Sequence, residues 1–346
     1  MIPLKDKNYD MVDLCKFIAC ICIVCIHTAA FSDFVSGGGY YYISSCIFRI
    51  AVPFFFVTSG FFYGKKLIHG TAEERKKLLF RYIKRLGIPL IFWEVINIAI
   101  EILKQLFIKK LSVGVVVRNV AQSIVFYPYG ALWYVQALLI AVIIITYAYE
   151  RGWLKKCLLI SVGLYLVGLL GNTYYFLVAG TGLQGLVDRY LNIFVSTRNV
   201  VFVALYFVSA GVWIAEHIEK NGNFKVKRWH TVVLYCIFVL ETIAVKNCSS
   251  ADDKSMFIAF IVLIPALFVT AEESNLKVKN ARLLRSYSTG IYFMHKAAIH
   301  IWLLVFALID FEMGATTEFA LVFTSCFIAC SVGYRINNKK INMLIK

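Results

Sequence analysis

The sequence predicts an all-α fold: a polytopic membrane helical bundle of about ten transmembrane helices with both termini cytoplasmic. Hydrophobic residues make up 60% of the 346 residues and charged residues only 16%, whereas a soluble domain carries about 25% charged residues. The apolar residues fall in blocks of roughly 20, the length that crosses a hydrocarbon core. The charged residues are concentrated in the short segments between these blocks.

The predicted spans follow the apolar blocks in chain order. They are 11–31, 43–63, 86–107, 132–149, 157–176, 199–216, 231–247, 255–271, 287–309 and 317–336. With the N-terminus inside, 25 of the 36 Lys and Arg residues lie in or beside inner segments and eight in or beside outer ones. Because cytoplasmic loops carry an excess of Lys and Arg, both ends are predicted to be inside. We expect a single transmembrane domain over residues 1–346, with no extra soluble domain.

Charge and cysteine patterns exclude two other classes of site. The net charge of +16 does not indicate a nucleic-acid-binding protein, because the cations lie in loops between the spans, as in oriented membrane proteins. Cys22 and Cys25 form a single CxxC within a span, without a second pair or a suitably spaced histidine. No nucleic-acid partner and no metal site are therefore predicted.

The first span contains three titratable side chains, Asp13, Lys16 and His27. His27 follows Lys16 by eleven residues, which returns it to within roughly 20° of the same direction, about 16 Å farther along a helix. Asp13 lies three residues before Lys16, near the same face. Ionisable groups in a bilayer are costly and suggest function. The alternative is that Asp13 and Lys16 are interfacial anchors and His27 a satisfied interior histidine.

Other spans carry further candidate residues. Arg49, in the second span with Ser59, should lie at a depth similar to that of His27, where it either snorkels to outer headgroups or serves a functional cavity. Trp133 begins the fourth span, where an aromatic belt is the structural alternative.

His295 and Lys296 are adjacent in the ninth span. Two titratable side chains side by side at this depth need partners. Glu94 of the third span or Glu241 of the seventh could supply them.

The loop that follows the second span is the most basic segment of the chain. At its end Arg81, Lys84 and Arg85 share one helix face. Such a cluster can bind anionic lipid headgroups. It can also bind the phosphates of a cytosolic, nucleotide-bearing donor.

Five segments, in the same order, resemble the acyltransferase-3 family of bacterial membrane proteins. They are Asp13 to Ala19 with His27, Val52 to Phe62 with Ser59 and Gly60, Arg81 to Arg85 with Pro89, Leu132 to Tyr134, and Tyr287 to His295. The family motif in the first helix is Arg, ten residues, then His. Here Lys16 stands at the Arg position.

The resemblance implies a multi-pass protein of the bacterial plasma membrane that transfers an acyl group, acetyl by default, from cytosolic acyl-CoA. The acceptor would be a hydroxyl of an envelope polysaccharide or a lipid-linked sugar. Acyl-CoA is a co-substrate, and no bound cofactor is expected. Membrane lipids are further partners, and a second copy of the chain or a separate extracytoplasmic acyltransferase is left open.

On this interpretation, His27 is the catalytic residue, either as a general base or as a nucleophile. Lys16, Arg81, Lys84 and Arg85 would bind the acyl donor. Residues that bind substrate or stabilise charge would be Asp13, Arg49, Ser59, Trp133, His295 and Lys296. The alternative function is a transporter or flippase for an amino acid such as serine, or for a lipid-linked saccharide, in which the same charges line a path.

Overall fold

The computed structural model describes residues 9–35, 37–129, 131–224, 226–248, 254–336 and 338–345. This part of the chain contains helices and no β-strand. The α-helices within it are α1 Asp10–Thr28, α2 Gly37–Cys46, α3 Ala51–His69, α4 Ala72–Leu103, α5 Val113–Val125, α6 Trp133–Glu150, α7 Leu154–Leu169, α8 Gln184–Phe194, α9 Leu205–Asn221, α10 Arg228–Cys248, α11 Phe260–Glu272, α12 Ala281–Leu308, α13 Ala315–Ile336 and α14 Lys339–Ile345. Short 3-10 or π turns occur at Phe48–Ile50, Lys104–Ile108, Tyr175–Leu177 and Val200–Ala204.

Among the described residues, eight helical segments are long and apolar enough to cross a membrane. They contain α1, α2 with α3, α4, α6, α9, α10, α12 and α13. The fifth and eighth predicted spans correspond to shorter helices, α7 with 16 residues and α11 with 13. The prediction of a polytopic helical bundle is confirmed. The number of ten crossings and the cytoplasmic position of the ends stay predictions.

The outside of the bundle is apolar, as expected for a protein surrounded by lipid. Only 11% of the apolar window of α4 and 22% of those of α10 and α13 is buried within the protein. Ile91 on α4 and Leu240 on α10 are each 66% exposed. Continuous apolar surface of this kind is rare on soluble proteins. These helices therefore form the periphery, around the more deeply buried α3, α6 and α9.

Helices α3 and α9 approach each other most closely at two glycines. A Cβ added to Gly60 would overlap the carbonyl oxygen of Val208, and one added to Gly211 would overlap the carbonyl oxygen of Val57. Small residues allow this close backbone approach between membrane helices. The Ser59-Gly60 pair of the second span thus places a hydroxyl beside the tightest crossing in the core.

The second predicted span, 43–63, is divided in the structure. Helix α2 ends at Cys46, a 3-10 turn covers Phe48–Ile50, and α3 follows. Arg49 therefore lies in a turn between two helices rather than inside a continuous one. Helices α5 and α8 are additional short elements that the apolar-block pattern did not predict, because each is apolar on one side only.

Candidate functional site

A pocket with an empty volume of about 620 Å³ lies between α1, α3, α6 and α12. His27 in the last turn of α1 and Arg49 in the Phe48–Ile50 turn both line it. Aromatic side chains in its wall are those of Trp133, Tyr134, Tyr165, Phe207 and Tyr292. Two predicted site residues that are distant in sequence, His27 and Arg49, thus share one pocket.

His27 is paired with a second histidine from α12. The ring centroids of His27 and His295 are 5.3 Å apart. The His295 Nδ1 lies 2.6 Å from the carbonyl oxygen of Tyr292, so a neutral His295 donates its proton from Nδ1. Its Nε2 is buried and has no hydrogen-bond partner among the described residues. The unprotonated nitrogen of His295 is therefore available close to His27.

Three cations surround this histidine pair of His27 and His295. Lys296, Arg198 and Arg49 are close enough to His27 to interact with it electrostatically. The Arg198 guanidinium lies 5.7 Å from the ring centroid of Trp133. Such positive charge can stabilise an anion that forms beside the imidazole. The sequence interpretation missed Arg198. In the sequence it is marked only by its position just before the sixth predicted span, where a cation is common.

The inner end of α1 carries a second group of charges. An Arg285 nitrogen lies 3.5 Å from an Asp13 carboxylate oxygen. Lys16 is within electrostatic reach of Asp13, Arg285 and Arg85. We call these four residues the inner charged cluster. It brings Lys16 near Arg85 of the basic run and adds Arg285, which the sequence interpretation counted only as a loop charge.

The other two loop cations are not brought to Lys16 in the same way. Arg81, Lys84 and Arg85 are all exposed. The Nε of Arg81 donates a hydrogen bond to the Lys77 carbonyl oxygen of its own helix. The guanidinium of Arg85 instead lies 5.2 Å from the ring centroid of Tyr82. Arg85 is the member of the basic run that lies within electrostatic reach of Lys16.

A file of hydroxyl groups continues inward from Arg85. Ser59 is hydrogen-bonded to Tyr82, and its Oγ lies 3.0 Å from the hydroxyl of Tyr134. The Tyr134 and Tyr292 ring centroids are 5.5 Å apart, and the Tyr292 ring is 5.9 Å from that of His295. We call Tyr82, Ser59, Tyr134 and Tyr292 the hydroxyl file. These side chains lie in sequence between Arg85 and His295, but the contacts of Tyr292 with Tyr134 and His295 are between rings, and the Tyr292 hydroxyl donates to the Ala131 carbonyl oxygen.

The stripe of α1 between the two sites is packed. Cys20 and Ile23 lie between Lys16 and His27 and are 0% and 2% exposed. The Sγ of Cys20 lies 3.2 Å from the carbonyl oxygen of Ser288 on α12. Lys16 and His27 therefore both face the protein interior rather than lipid.

One wall of the pocket is a loop that two side-chain acceptors, one of them buried, hold in place. Asn172 Oδ1 accepts hydrogen bonds from the backbone amides of Ser255 and Met256, each at 2.9 Å. Glu241 accepts from the amides of residues 258–259 at 2.6 and 2.8 Å. Glu241, a candidate partner of His295 and Lys296, thus caps the start of α11 instead.

Lys296 has other acidic neighbours than those expected. The carboxylates within its electrostatic reach are Glu318 of α13 and Glu101 of α4. Glu94, the second expected partner, accepts a hydrogen bond from the Tyr129 amide at 2.9 Å. The sequence identified the correct helix for one partner, α4, but the acid that reaches Lys296 lies two turns farther along it.

Curated relatives of the chain carry racemase names. It is 26% identical over 267 residues to an "Amino-acid racemase" of Enterococcus faecalis, covering 76% of this chain and 36% of the relative. It is 25% identical over 265 residues to a "Serine/alanine racemase" of Enterococcus gallinarum, covering 77% and 37%. A further "Amino-acid racemase" of Enterococcus faecalis is 24% identical over 344 residues, covering 95% and 46%. The chain spans less than half the length of each of these relatives.

No solved structure matches the chain. The family comparison is more extensive, because the family model described as an acyltransferase domain matches residues 9–335. This match includes the inner charged cluster, the hydroxyl file and the histidine pair. The chain therefore belongs to the acyltransferase-3 family of membrane proteins.

Proposed function

We propose that the protein transfers an acetyl group from cytosolic acetyl-CoA to a hydroxyl of a cell-envelope glycan or lipid-linked sugar, in the plasma membrane of a bacterium. The observation that carries the proposal is the placement of Lys16 and His27. They lie on one stripe of α1, in two distinct polar sites, and the side chains of the hydroxyl file lie between these sites.

The inner charged cluster suits the phosphate-rich end of the donor. Lys16, Arg85 and Arg285 bring three cations together beside the carboxylate of Asp13. Charge-assisted hydrogen bonds from such side chains are the strong contacts to phosphate. In this proposal the acyl thioester then extends from the cluster toward His27, a distance of about 16 Å along α1, with the pantetheine arm of CoA beside the hydroxyl file.

His27 supplies the acid–base chemistry of the transfer. Its imidazole takes the proton of the acceptor hydroxyl as the acceptor oxygen attacks the thioester carbonyl. The tetrahedral oxyanion forms beside Lys296, Arg198 and Arg49, whose charges stabilise it. The carbon–sulfur bond then breaks, and CoA leaves as a thiol after receiving the proton from His27.

His295 acts on His27 as a positioning residue. His295 donates a hydrogen bond through Nδ1 to the Tyr292 carbonyl oxygen. Its Nε2 is therefore unprotonated and can accept a hydrogen bond. A His27 N–H turned toward this Nε2 would leave the second His27 nitrogen unprotonated and directed to the acceptor. A base oriented by a further group is a common arrangement for activating hydroxyl groups.

The proposal is tested with purified protein in detergent by CoA release from acetyl-CoA. We expect His27→Ala to lower the rate by roughly 10²- to 10⁴-fold, the usual contribution of general acid–base catalysis. The exposed His230, near the inner loops, is the matched control, and His230→Ala should keep the wild-type rate. Undiminished CoA release by His27→Ala would disprove the mechanism.

The nucleophilic role of His27 has a separate readout. If the acetyl group passes through the imidazole, protein quenched during turnover with labelled acetyl-CoA carries label that His27→Ala lacks. If His27 acts as a base, quenched wild-type protein carries no label that depends on His27. The two results distinguish the roles without altering the donor or acceptor.

A second candidate function is a carrier for an amino acid such as serine or for a lipid-linked saccharide. It is favoured by the relatives named racemases, whose chains match this one over less than half of their length. The charges around the pocket would then line a path. Proteoliposomes that take up labelled serine, with no CoA release from acetyl-CoA, would favour the carrier. The inner charged cluster favours the transferase, since a carrier has no use for a CoA-phosphate site.

A further inference from the structure

A second cavity lies between the inner ends of α7 and α9, away from the pocket of the histidine pair. It holds about 380 Å³ of space, which is within the range of small-molecule sites. We call it the α7–α9 cavity. None of the residues that line it takes part in the proposed acyl transfer. Those used below are Lys155, Leu158 and Leu159 of α7, and Trp213, His217 and Lys220 of α9.

The cavity exists because α9 continues inward past the start of α7. The two helices run antiparallel, with Gly168 of α7 against Phe202 before α9 and the Cys157 Sγ 3.7 Å from the Ser209 Oγ. Helix α7 begins three residues before Cys157, whereas α9 continues for twelve residues after Ser209. The difference of nine residues corresponds to roughly 13 Å of helix. This overhang of α9 leaves a cleft beside the first turns of α7.

The cavity lies at the end of the bundle that holds the inner charged cluster. Glu219, near the end of α9, lies 3.5 Å from His69 at the end of α3. Lys65, in the same part of α3, donates a hydrogen bond to the hydroxyl of Tyr9 just before α1. Lys16 follows within the first two turns of α1. In the predicted orientation, this end of the bundle meets the cytoplasmic leaflet.

The lining of the cavity changes from apolar to polar toward this end. Leu159 is 73% exposed and belongs to the apolar outside of the bundle, whereas Lys155 lies one turn closer to the start of α7. On α9, Trp213 precedes His217, which lies 3.3 Å from the amide nitrogen of Asn221. Tryptophan and lysine are typical of the interface between hydrocarbon and headgroups. A molecule that fills the cavity therefore needs an apolar part and a polar part.

The charges around the cavity favour an anion. Lys220 and Glu216 form an ion pair at 2.6 Å and so balance each other. Lys155 is paired with no carboxylate in the part of the chain that the structure describes. One positive charge is therefore in excess, which matches the single negative charge of a phosphodiester. A zwitterionic headgroup would bring a second cation close to Lys155 and Lys220.

We infer that the α7–α9 cavity binds one anionic phospholipid of the cytoplasmic leaflet. The phosphodiester lies against Lys155, and an acyl chain follows Leu158 and Leu159 into the hydrocarbon region. The headgroup extends along the overhang of α9, where His217 offers a hydrogen-bonding group. The ring of Trp213 contacts the lipid at the level of the glycerol. The site is independent of the proposed function, because it shares no residue with the acyl-transfer site.

The test measures quenching of Trp213 fluorescence in the full-length protein. Delipidated protein in detergent is titrated with phosphatidylglycerol brominated on its acyl chains, and separately with phosphatidylcholine brominated in the same way. Bromine quenches an indole ring only at short range. The chain has six tryptophans, so the contribution of Trp213 is the difference between each protein and the same protein with Trp213→Phe.

Two neighbouring lysines provide the test variant and its matched control. Lys155→Gln removes the unpaired cation of the cavity. Lys156→Gln removes an equally exposed cation of the next position, which does not line the cavity. Both side chains are on the surface, so neither change should alter the melting temperature appreciably. Equal melting temperatures show that both variants fold.

We expect phosphatidylglycerol to quench Trp213 at a concentration roughly tenfold lower than phosphatidylcholine, because only the anionic lipid matches the excess positive charge. Lys155→Gln should raise the phosphatidylglycerol concentration at half quenching by roughly tenfold, the loss of one charge-assisted contact. Lys156→Gln should change it by less than about twofold, as expected for an exposed charge that makes no direct contact.

Equal quenching by the two lipids, or none that depends on Trp213, would overturn the inference, since the cavity would then hold no selected lipid. Equal effects of Lys155→Gln and Lys156→Gln would also overturn it, because the general positive charge of this surface would then attract the lipid. Inorganic phosphate is added in a last arm. If phosphate at the same concentration as phosphatidylglycerol reverses the quenching, the site recognises free phosphate rather than a lipid.

Discussion

The crossing of α3 and α9 offers a quantitative test of how the core positions Ser59. In Gly60→Ala, the added Cβ would overlap the Val208 carbonyl oxygen, a backbone atom that cannot rotate away. Restoring an ordinary contact of 3.4–4 Å requires the helices to separate by roughly 1 Å. Overpacking of this kind costs about 1–3 kcal/mol, and the gain in helix propensity of about 1 kcal/mol offsets part of it.

We therefore expect Gly60→Ala to destabilise the protein by up to about 2 kcal/mol relative to wild type, and by about 1–3 kcal/mol relative to a Gly→Ala change that gains only the helix propensity. The same separation would lengthen the 3.0 Å contact between Ser59 and Tyr134, so CoA release should fall as well. The assay is thermal unfolding in detergent together with the rate of CoA release. The control is Gly163→Ala in α7, where an added Cβ would have nothing within 4 Å.

Gly163→Ala should be neutral or slightly stabilising, because only the propensity gain applies. The reasoning is refuted if Gly60→Ala melts at the same temperature as Gly163→Ala, since the crossing would then have room for a side chain. Gly211→Ala, which meets the Val57 carbonyl from the opposite helix, should behave like Gly60→Ala.

Two further predictions concern the inner and outer ends of the bundle. Arg85→Ala should raise the KM for acetyl-CoA roughly tenfold, because one charge-assisted contact is lost. Arg81 is the control: its guanidinium is hydrogen-bonded to its own helix, so Arg81→Ala should change the KM less than threefold. A larger effect of Arg81→Ala than of Arg85→Ala in steady-state kinetics would contradict the assigned donor site. Asp33, in the loop after α1, accepts hydrogen bonds from the amide and hydroxyl of Thr316 on α13, which hold the pKa of its carboxyl below the ordinary value of 3.8. The stabilisation from a carboxyl with a lowered pKa is fully present above the ordinary pKa and is lost as the pH falls through the lowered pKa. Asp33→Ala should therefore lower the melting temperature equally at pH 5 and pH 8. The difference in melting temperature from wild type should shrink below pH 4. A difference that grows on acidification would be inconsistent with the link.

Side-chain periodicity within one helix was readable from the sequence. Lys16 and His27 share a stripe because the α-helix repeats every 3.6 residues, and the structure places both toward the interior of the bundle. The contacts between helices could not be predicted as well from the sequence. The pairing of Lys296 with Glu101 and Glu318 depends on the register of α12 against α4 and α13, and equally apolar faces on each helix allowed other registers, including the one with Glu94.

By itself, the sequence determined that this is a helical membrane protein, where most spans lie, and which polar residues enter them. It could do so because the bilayer acts on each segment locally, through its length, its apolarity and the placement of its charges. Only the tertiary structure brought His295 next to His27, Arg85 next to Lys16, and Arg198 into the pocket. Close packing and hydrogen bonds between segments that are distant in the chain determine which helices pack together in a membrane. These contacts cannot be read from the local sequence of any one helix.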